Sequence, residues 1–100
     1  MREINLFCAA GMSTSLLVSK MQKYAAEIGY DCHIEAFPIS KVDTQGAKSD
    51  IILLGPQVRF EKERVSEMYP NKIVESINMQ AYGMMDGPAI IKQVKEKLGD

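Results

Sequence analysis

Cysteine and histidine are scarce in this chain, with two of the first and one of the second among 100 residues. That scarcity excludes a disulfide framework and a zinc site of the usual four-ligand kind. Basic tracts are missing too. Twelve Lys and Arg stand against thirteen Asp and Glu, a formal net charge of −1. Nothing here would neutralise a phosphate backbone, so nucleic acid is not an expected partner. Long hydrophobic runs are also absent: IILL at 51–54 is far too short to cross a bilayer. The opening MREINLF lacks the apolar stretch and cleavage site of a secretory signal. No lysine follows a glycine at the spacing of a nucleotide-binding phosphate loop. The expectation is a cytoplasmic protein with no metal or other cofactor. What is there is 46% hydrophobic and 25% charged, an ordinary globular balance, and the length suits one domain over 1–100.

Periodicity divides the chain into alternating elements. Residues 4–7 are a short apolar run, a strand candidate. Leu17, Met21, Tyr24, Ala25 and Ile28 recur at helical spacing, which predicts a helix over 13–28 that Gly29 ends. CHIEAF at 32–37 predicts a second strand closed by Pro38, and the polar 40–50 holds at most a short helix. IILL is a third strand, 57–68 a helix stopping before Pro70, and 72–75 a fourth strand. Residues 76–88 carry two glycines and a proline and are expected as loop. A last helix over 89–98 puts Ile90, Ile91, Val94 and Leu98 on one face.

Strands alternating with helices imply an α/β fold, a parallel sheet with helices on both faces. Unbroken IILL agrees, because strands buried on both sides do not alternate. Right-handed crossovers place every strand-to-helix loop at the carboxyl edge of the sheet, where ligands bind at the reversal of strand order. The first such loop is CAAGMSTS, residues 8–15. Ala9, Ala10 and Gly11 permit a tight turn that bares backbone N–H groups. Met12 interrupts them, and Ser13, Thr14 and Ser15 supply hydroxyls and helix caps. N–H groups converging at a helix start favour anions. A thiol at Cys8 should therefore ionise more easily, and the same donors would hold a phosphoryl group on its sulfur. The plainer reading is a buried core cysteine ending a strand.

A cysteine nucleophile in such a loop first suggests a phosphatase. Low-molecular-weight tyrosine phosphatases and the related arsenate reductases have a Cys, five residues, an Arg, and then Ser or Thr. Here Thr14 stands at the Arg position, Ser15 follows, and no arginine lies between Cys8 and Val58. Without a guanidinium to clamp oxygens, stabilisation falls to backbone N–H groups. Asp86 is the one carboxylate placed by sequence order to serve as the acid that hydrolysis needs. The set suits a group that accepts phosphoryl, keeps it from water and passes it on. A cysteine hydrolase and a non-catalytic anion-binding module stay open as alternatives.

Over LFCAAGMSTSLLVSKM at 6–21, IEAFP at 34–38, ILLGPQV at 52–58 and YGMMDG at 82–87, the chain resembles the IIB components of the lactose/cellobiose family of the bacterial sugar phosphotransferase system, of cellobiose and diacetylchitobiose type. The resemblance implies a four-stranded parallel sheet of order 2-1-3-4, akin to the phosphate-loop fold of the low-molecular-weight phosphatases. It implies a protein-phosphohistidine–sugar phosphotransferase subunit. Cys8 would take phosphoryl from a phosphohistidine on a soluble IIA protein. Phosphocysteine 8 would give it to a β-linked disaccharide of the cellobiose, chitobiose or lactose class entering through the membrane IIC protein.

Around that loop, Gln57, Tyr82 and Asp86 are candidates for the rim, Gln57 lending an amide and Asp86 an acid. Turn chemistry before the last helix is the plainer role for Tyr82 and Asp86. Met12, Val58, Met84 and Met85 are expected to form an apolar collar for the two partners in turn. Cys32 opens the second strand while Cys8 ends the first, opposite ends of neighbouring parallel strands, so no disulfide is expected and Cys32 is assigned to packing. His33 beside it is assigned a structural role.

Overall fold

The computed structural model of the protein describes residues 1–9 and 14–100. Four strands, β1 (Arg2–Cys8), β2 (Cys32–Pro38), β3 (Ile51–Leu54) and β4 (Ile73–Ser76), form one parallel sheet in the order β2-β1-β3-β4. Helix α1 (Ser15–Glu27) links β1 to β2. Between β2 and β3 the polar segment makes two 3-10 turns, Ile39–Lys41 and Gly46–Lys48, around a one-turn α2 (Val42–Gln45). A 3-10 segment, Pro56–Glu61, leads into α3 (Lys62–Met68), and α4 (Met79–Gly83) and α5 (Gly87–Leu98) follow β4.

Alternation along the strands sorts two cores. Ile4 and Leu6 of β1, with Ile34, Ile51 and Leu53, meet Leu17, Met21 and Ala25 of α1 and Ile90, Ile91 and Val94 of α5. Phe7, Ile52, Leu54 and Val74 face the other way, against Val42 of α2, Val58 and Val65. The Phe7 ring stacks on Phe37 with centroids 5.7 Å apart. On that second face Asn5 is the buried polar residue. Its amide donates to the Ser49 hydroxyl at 2.7 Å, and Ser49 in turn donates to the Gln45 carbonyl at 3.2 Å. Both strand faces are therefore covered, as the two-sided burial of IILL requires.

Three helices end alike. After α1, Gly29 at φ 68 lets the N–H of Tyr30 reach Ala25 O (2.8 Å) and its own N–H reach Ala26 O (3.2 Å). After α5, Gly99 at φ 76 does the same toward Lys95 and Glu96. These are left-handed caps with glycine where L side chains strain. After α4 the same pair of bonds forms, Asp86 N–H to Ala81 O and Met85 N–H to Tyr82 O, yet the left-handed residue is Met85 at φ 52.

The structure corrects several sequence expectations. Residues 76–88 are not all loop: Asn78 accepts from the Ala81 N–H and starts α4, and Asp86 accepts from the Ala89 N–H and starts α5 two residues before the expected onset. The helix over 57–68 is α-helical only from Lys62, because Val58 at φ −120, ψ 19 breaks the run. That break turns Val58 inward, where it is buried rather than part of a collar. Met85 is half-buried against the core, and Met84 alone of the described collar candidates is strongly exposed.

Candidate functional site

In the order β2-β1-β3-β4 the chain leaves β1 for one side of the sheet and returns to β3 on the other. The reversal lies between the ends of β1 and β3. Cys8 ends β1 and Gly55 follows β3, and the two are in contact. A Cβ built on Gly55 would sit 3.2 Å from Cys8 Sγ, 3.6 Å from Cys8 Cβ and 3.2 Å from Gln57 Oε1. Glycine here keeps open the space beside the sulfur. Its N–H donates to Phe7 O at 2.9 Å and lies close enough to the thiol to favour its ionised form.

Two hydroxyls join it. The Thr14 side chain is fully buried, and it and the Tyr82 hydroxyl from α4 both favour the ionised form of the Cys8 sulfur. Thr14 is the N-cap residue of α1, but its side chain makes no capping bond. The capping role expected of it is given over to the sulfur. The thiol is thus ringed by donors from the β1–α1 loop, the β3 end and α4. Cys8 itself is 1% exposed. Burial pushes its thiol above the ordinary cysteine value, and the bonds from Thr14, Tyr82 and Gly55 only partly oppose that. Among the described residues burial is thus the larger influence and keeps the proton on Cys8, while residues 10–13 of the loop expected to ease its ionisation lie outside the described residues.

Beside this ring runs a groove of about 780 Å³. Pro56, Gln57 and Arg59 line one wall and Met79, Tyr82 and Gly83 another, with Phe60 75% exposed at its mouth. Gln57 and Tyr82 are thus brought to the sulfur's neighbourhood as expected. Asp86 does not line this groove, and its Oδ1 accepts from the Ala89 N–H at the start of α5. Ala9 and Ser15 are exposed on either side of the loop. Ala10, Gly11, Met12 and Ser13 lie outside the described residues. Arg59, Phe60 and the Gly55 N–H were not anticipated. The GPQVRF run after a buried strand carried the signal, because the first turn after β3 must border the reversal point.

The remaining candidates sit elsewhere. Cys32 pairs in register with Arg2, at the far end of the strand from Cys8, which pairs with Pro38. It is half-buried against the core and carries a free thiol raised by burial and by Asp31. His33 is exposed at the surface between Glu3 (2.9 Å) and Glu35 (3.7 Å). Among the described residues no group of three or more His, Cys, Asp or Glu is placed to hold a metal ion. No helix among them is long and apolar enough to cross a membrane.

Comparison with known proteins follows from this geometry. The family described as "PTS system, Lactose/Cellobiose specific IIB subunit" matches residues 3–93. An oligo-beta-mannoside-specific EIIB component of Bacillus subtilis is 44% identical over 96 residues, spanning 93% of this chain and 92% of that one. A galactose-specific EIIB component of Lactococcus lactis is 48% identical over 95 residues, 88% of each. The solution structure of a cellobiose-specific phosphotransferase IIB component from Borrelia burgdorferi superposes with a TM-score of 0.75 at 36% identity, covering 91% of this chain and 85% of that one.

Proposed function

The chain belongs to the lactose/cellobiose-specific IIB subunits of the sugar phosphotransferase system, and on that premise we propose that Cys8 carries the phosphoryl group between two partners. The observation that carries the proposal is the ring of donors from Thr14, Tyr82 and Gly55 around one buried sulfur at the strand-order reversal. The donor is a phosphohistidine on a IIA protein. In the first step the S–P bond forms as the N–P bond breaks. The thiol proton, which burial keeps on Cys8, goes to the imidazole nitrogen that phosphoryl vacates. A raised thiol is thus no handicap, since nucleophile and leaving group exchange the proton between them.

In the second step a sugar hydroxyl attacks phosphorus, the O–P bond forms, the S–P bond breaks, and the hydroxyl proton returns to sulfur. The acceptor is a β-linked disaccharide held by the membrane IIC protein. Relatives named for oligo-β-mannoside, galactose and cellobiose are all similar to this chain, which supports leaving the choice of sugar to the partner. Work of this kind sits on the cytoplasmic side, where both partners meet the carrier.

Intact mass before and after incubation with a phosphorylated IIA protein tests this. The native chain is expected to gain one phosphoryl group on Cys8, and Cys8→Ser to gain none at that position. No gain from a donor shown to be competent would refute the proposal.

A further inference from the structure

The chain leaves β3 through a tight turn whose third residue overlooks the sulfur. The Val58 N–H donates to the Gly55 carbonyl at 3.0 Å across Pro56 and Gln57, with proline at the corner its fixed φ favours. Both ends of the turn are anchored. Gly55 N–H is bonded to Phe7 O at 2.9 Å, and Val58 is buried in the second core. Gln57 stands on the groove side instead, with its side chain exposed. That side chain folds back over Gly55. The point where a Gly55 Cβ would stand lies 3.2 Å from Gln57 Oε1 and 3.2 Å from Cys8 Sγ. Sulfur and amide oxygen are therefore separated by at most twice that distance, a gap that a phosphoryl group on sulfur and one hydrogen bond of about 2.9 Å can span. Other side-chain amides are committed to structure: Asn5 donates to the Ser49 hydroxyl and Gln22 to Ile34 O. Gln57 makes no such bond to another described residue.

We propose that the Gln57 side chain holds the phosphoryl group on the Gly55 side of Cys8, its Nε2 donating to a phosphoryl oxygen; this rests on the carrier reading. A carrier alternates between a protonated thiol, which donates, and an anionic group, which only accepts. A carboxylate would suit the first state and repel the second, and a guanidinium would suit only the second. An amide has both an acceptor and a donor, and rotation about its last side-chain bond exchanges them. It holds the charged state without adding a charge that would trap the group on sulfur. The rigid turn sets where the amide stands, so the ordering cost is limited to its own side chain.

The test uses the full chain in native form, as Gln57→Met, which keeps the length of the side chain and removes donor and acceptor, and as Gln57→Glu, which keeps only the acceptor. Each is mixed with an equal amount of phosphorylated IIA protein, and the division of phosphoryl between the two proteins at equilibrium is read by intact mass. That division depends on how well each free protein holds the group. A residue that only docks the partner changes the rate of approach and leaves the division where it was. The equilibrium constant toward Cys8 falls roughly tenfold in Gln57→Met, the size of one hydrogen bond to a charged group. It falls farther in Gln57→Glu, where like charges meet. The side chain is exposed, so melting temperatures stay close to the native one. An unmoved constant in Gln57→Met overturns the proposal, whatever happens to the rate, and so does a Gln57→Glu constant no lower than that of Gln57→Met. If the native chain takes no group from a competent donor, the carrier reading falls and this inference with it; if it takes the group and both variants match it, this inference falls alone.

Discussion

Replacing Gly55 by alanine separates what this fold needs from what the sulfur needs. The backbone at Gly55 lies at φ −61, ψ 154, which alanine adopts without strain. Stiffening the unfolded chain would therefore favour the variant by about 0.4–1 kcal/mol. Against this stands the new methyl, 3.2 Å from both Cys8 Sγ and Gln57 Oε1. The end of the Gln57 side chain is exposed and yields by rotation. The sulfur is buried and held by Thr14 and Tyr82, so it must shift by a few tenths of an ångström or push the β3 end outward. Overpacking of this sort costs about 1–3 kcal/mol. The two effects leave a net loss of roughly 0–2.5 kcal/mol, a fall in Tm of at most about 20 °C for a domain of this size. Phosphoryl uptake suffers more, because the methyl fills the space beside sulfur and loosens its donors. Small misplacements at a reacting atom cost up to about 100-fold, and we expect an about 10- to 100-fold slower mass gain in single-turnover uptake from phosphorylated IIA. Gln57→Ala in the same chain should not rescue it. Wild-type uptake by a folded Gly55→Ala variant would refute the placement of the phosphoryl group at this opening.

Two further outcomes follow from packing and charge. Gly87, the first residue of α5, faces the backbone of α1, and a Cβ there would meet Lys20 C at 2.7 Å and Lys20 O and Met21 N at 2.8 Å. Backbone cannot rotate away, so Gly87→Ala should lower stability by about 2–3 kcal/mol, read as a Tm about 10–20 °C lower by circular dichroism; an unchanged Tm would mean α1 and α5 part freely. Asp100 accepts from Arg2 Nε at 2.9 Å and from the Tyr30 hydroxyl, and these bonds push its carboxyl from 3.8 down to about 2. A depressed carboxyl stabilises the fold above its unfolded value and stops doing so as pH falls through the folded one. Urea unfolding of the native chain and Asp100→Asn should thus differ at neutral pH and converge between about pH 4 and pH 2; a difference that persists below that window would refute the assignment.

Much of the architecture was legible because it is written in local periodicity. IILL announced a strand buried on both faces, Gly29 announced the end of α1, and the alternation of elements gave a parallel sheet with Cys8 at its active edge. What escaped depends on where the backbone turns after a strand. Val58 looked like an apolar rim residue, but one non-helical residue in a 3-10 segment points it into the second core. Glycines and a proline in YGMMDGP read as loop, whereas Asn78 and Asp86, both N-cap residues, were the stronger signals and start two helices. Thr14 looked like a cap because capping is what threonine does at a helix start. Its bond to sulfur could be seen only once β1 and α1 were placed in space. The upward push of burial on the Cys8 thiol was hidden for the same reason. Burial is a property of the assembled core, and at Cys8 it outweighs the influence of Thr14, Tyr82 and Gly55.

That imbalance bears on why a site of this shape would carry phosphoryl rather than release it. Hydrolysis of a thiophosphate needs an activated water and strong stabilisation of charge building on phosphorus. Among the described residues, the contacts made to the sulfur are two hydroxyls and a backbone N–H, all neutral. The carboxylate that sequence order offered as an acid, Asp86, is engaged at the start of α5. Neutral donors can hold a dianionic group in place without lowering the barrier to water as a guanidinium would. Transfer escapes that restriction when a partner brings its own nucleophile or leaving group and takes over the proton. The groove lined by Gln57, Arg59 and Phe60 lies open beside the sulfur for such a partner. A carrier built this way is slow with water for the same reasons that it is competent with a partner, and Arg at position 14 would weaken the distinction.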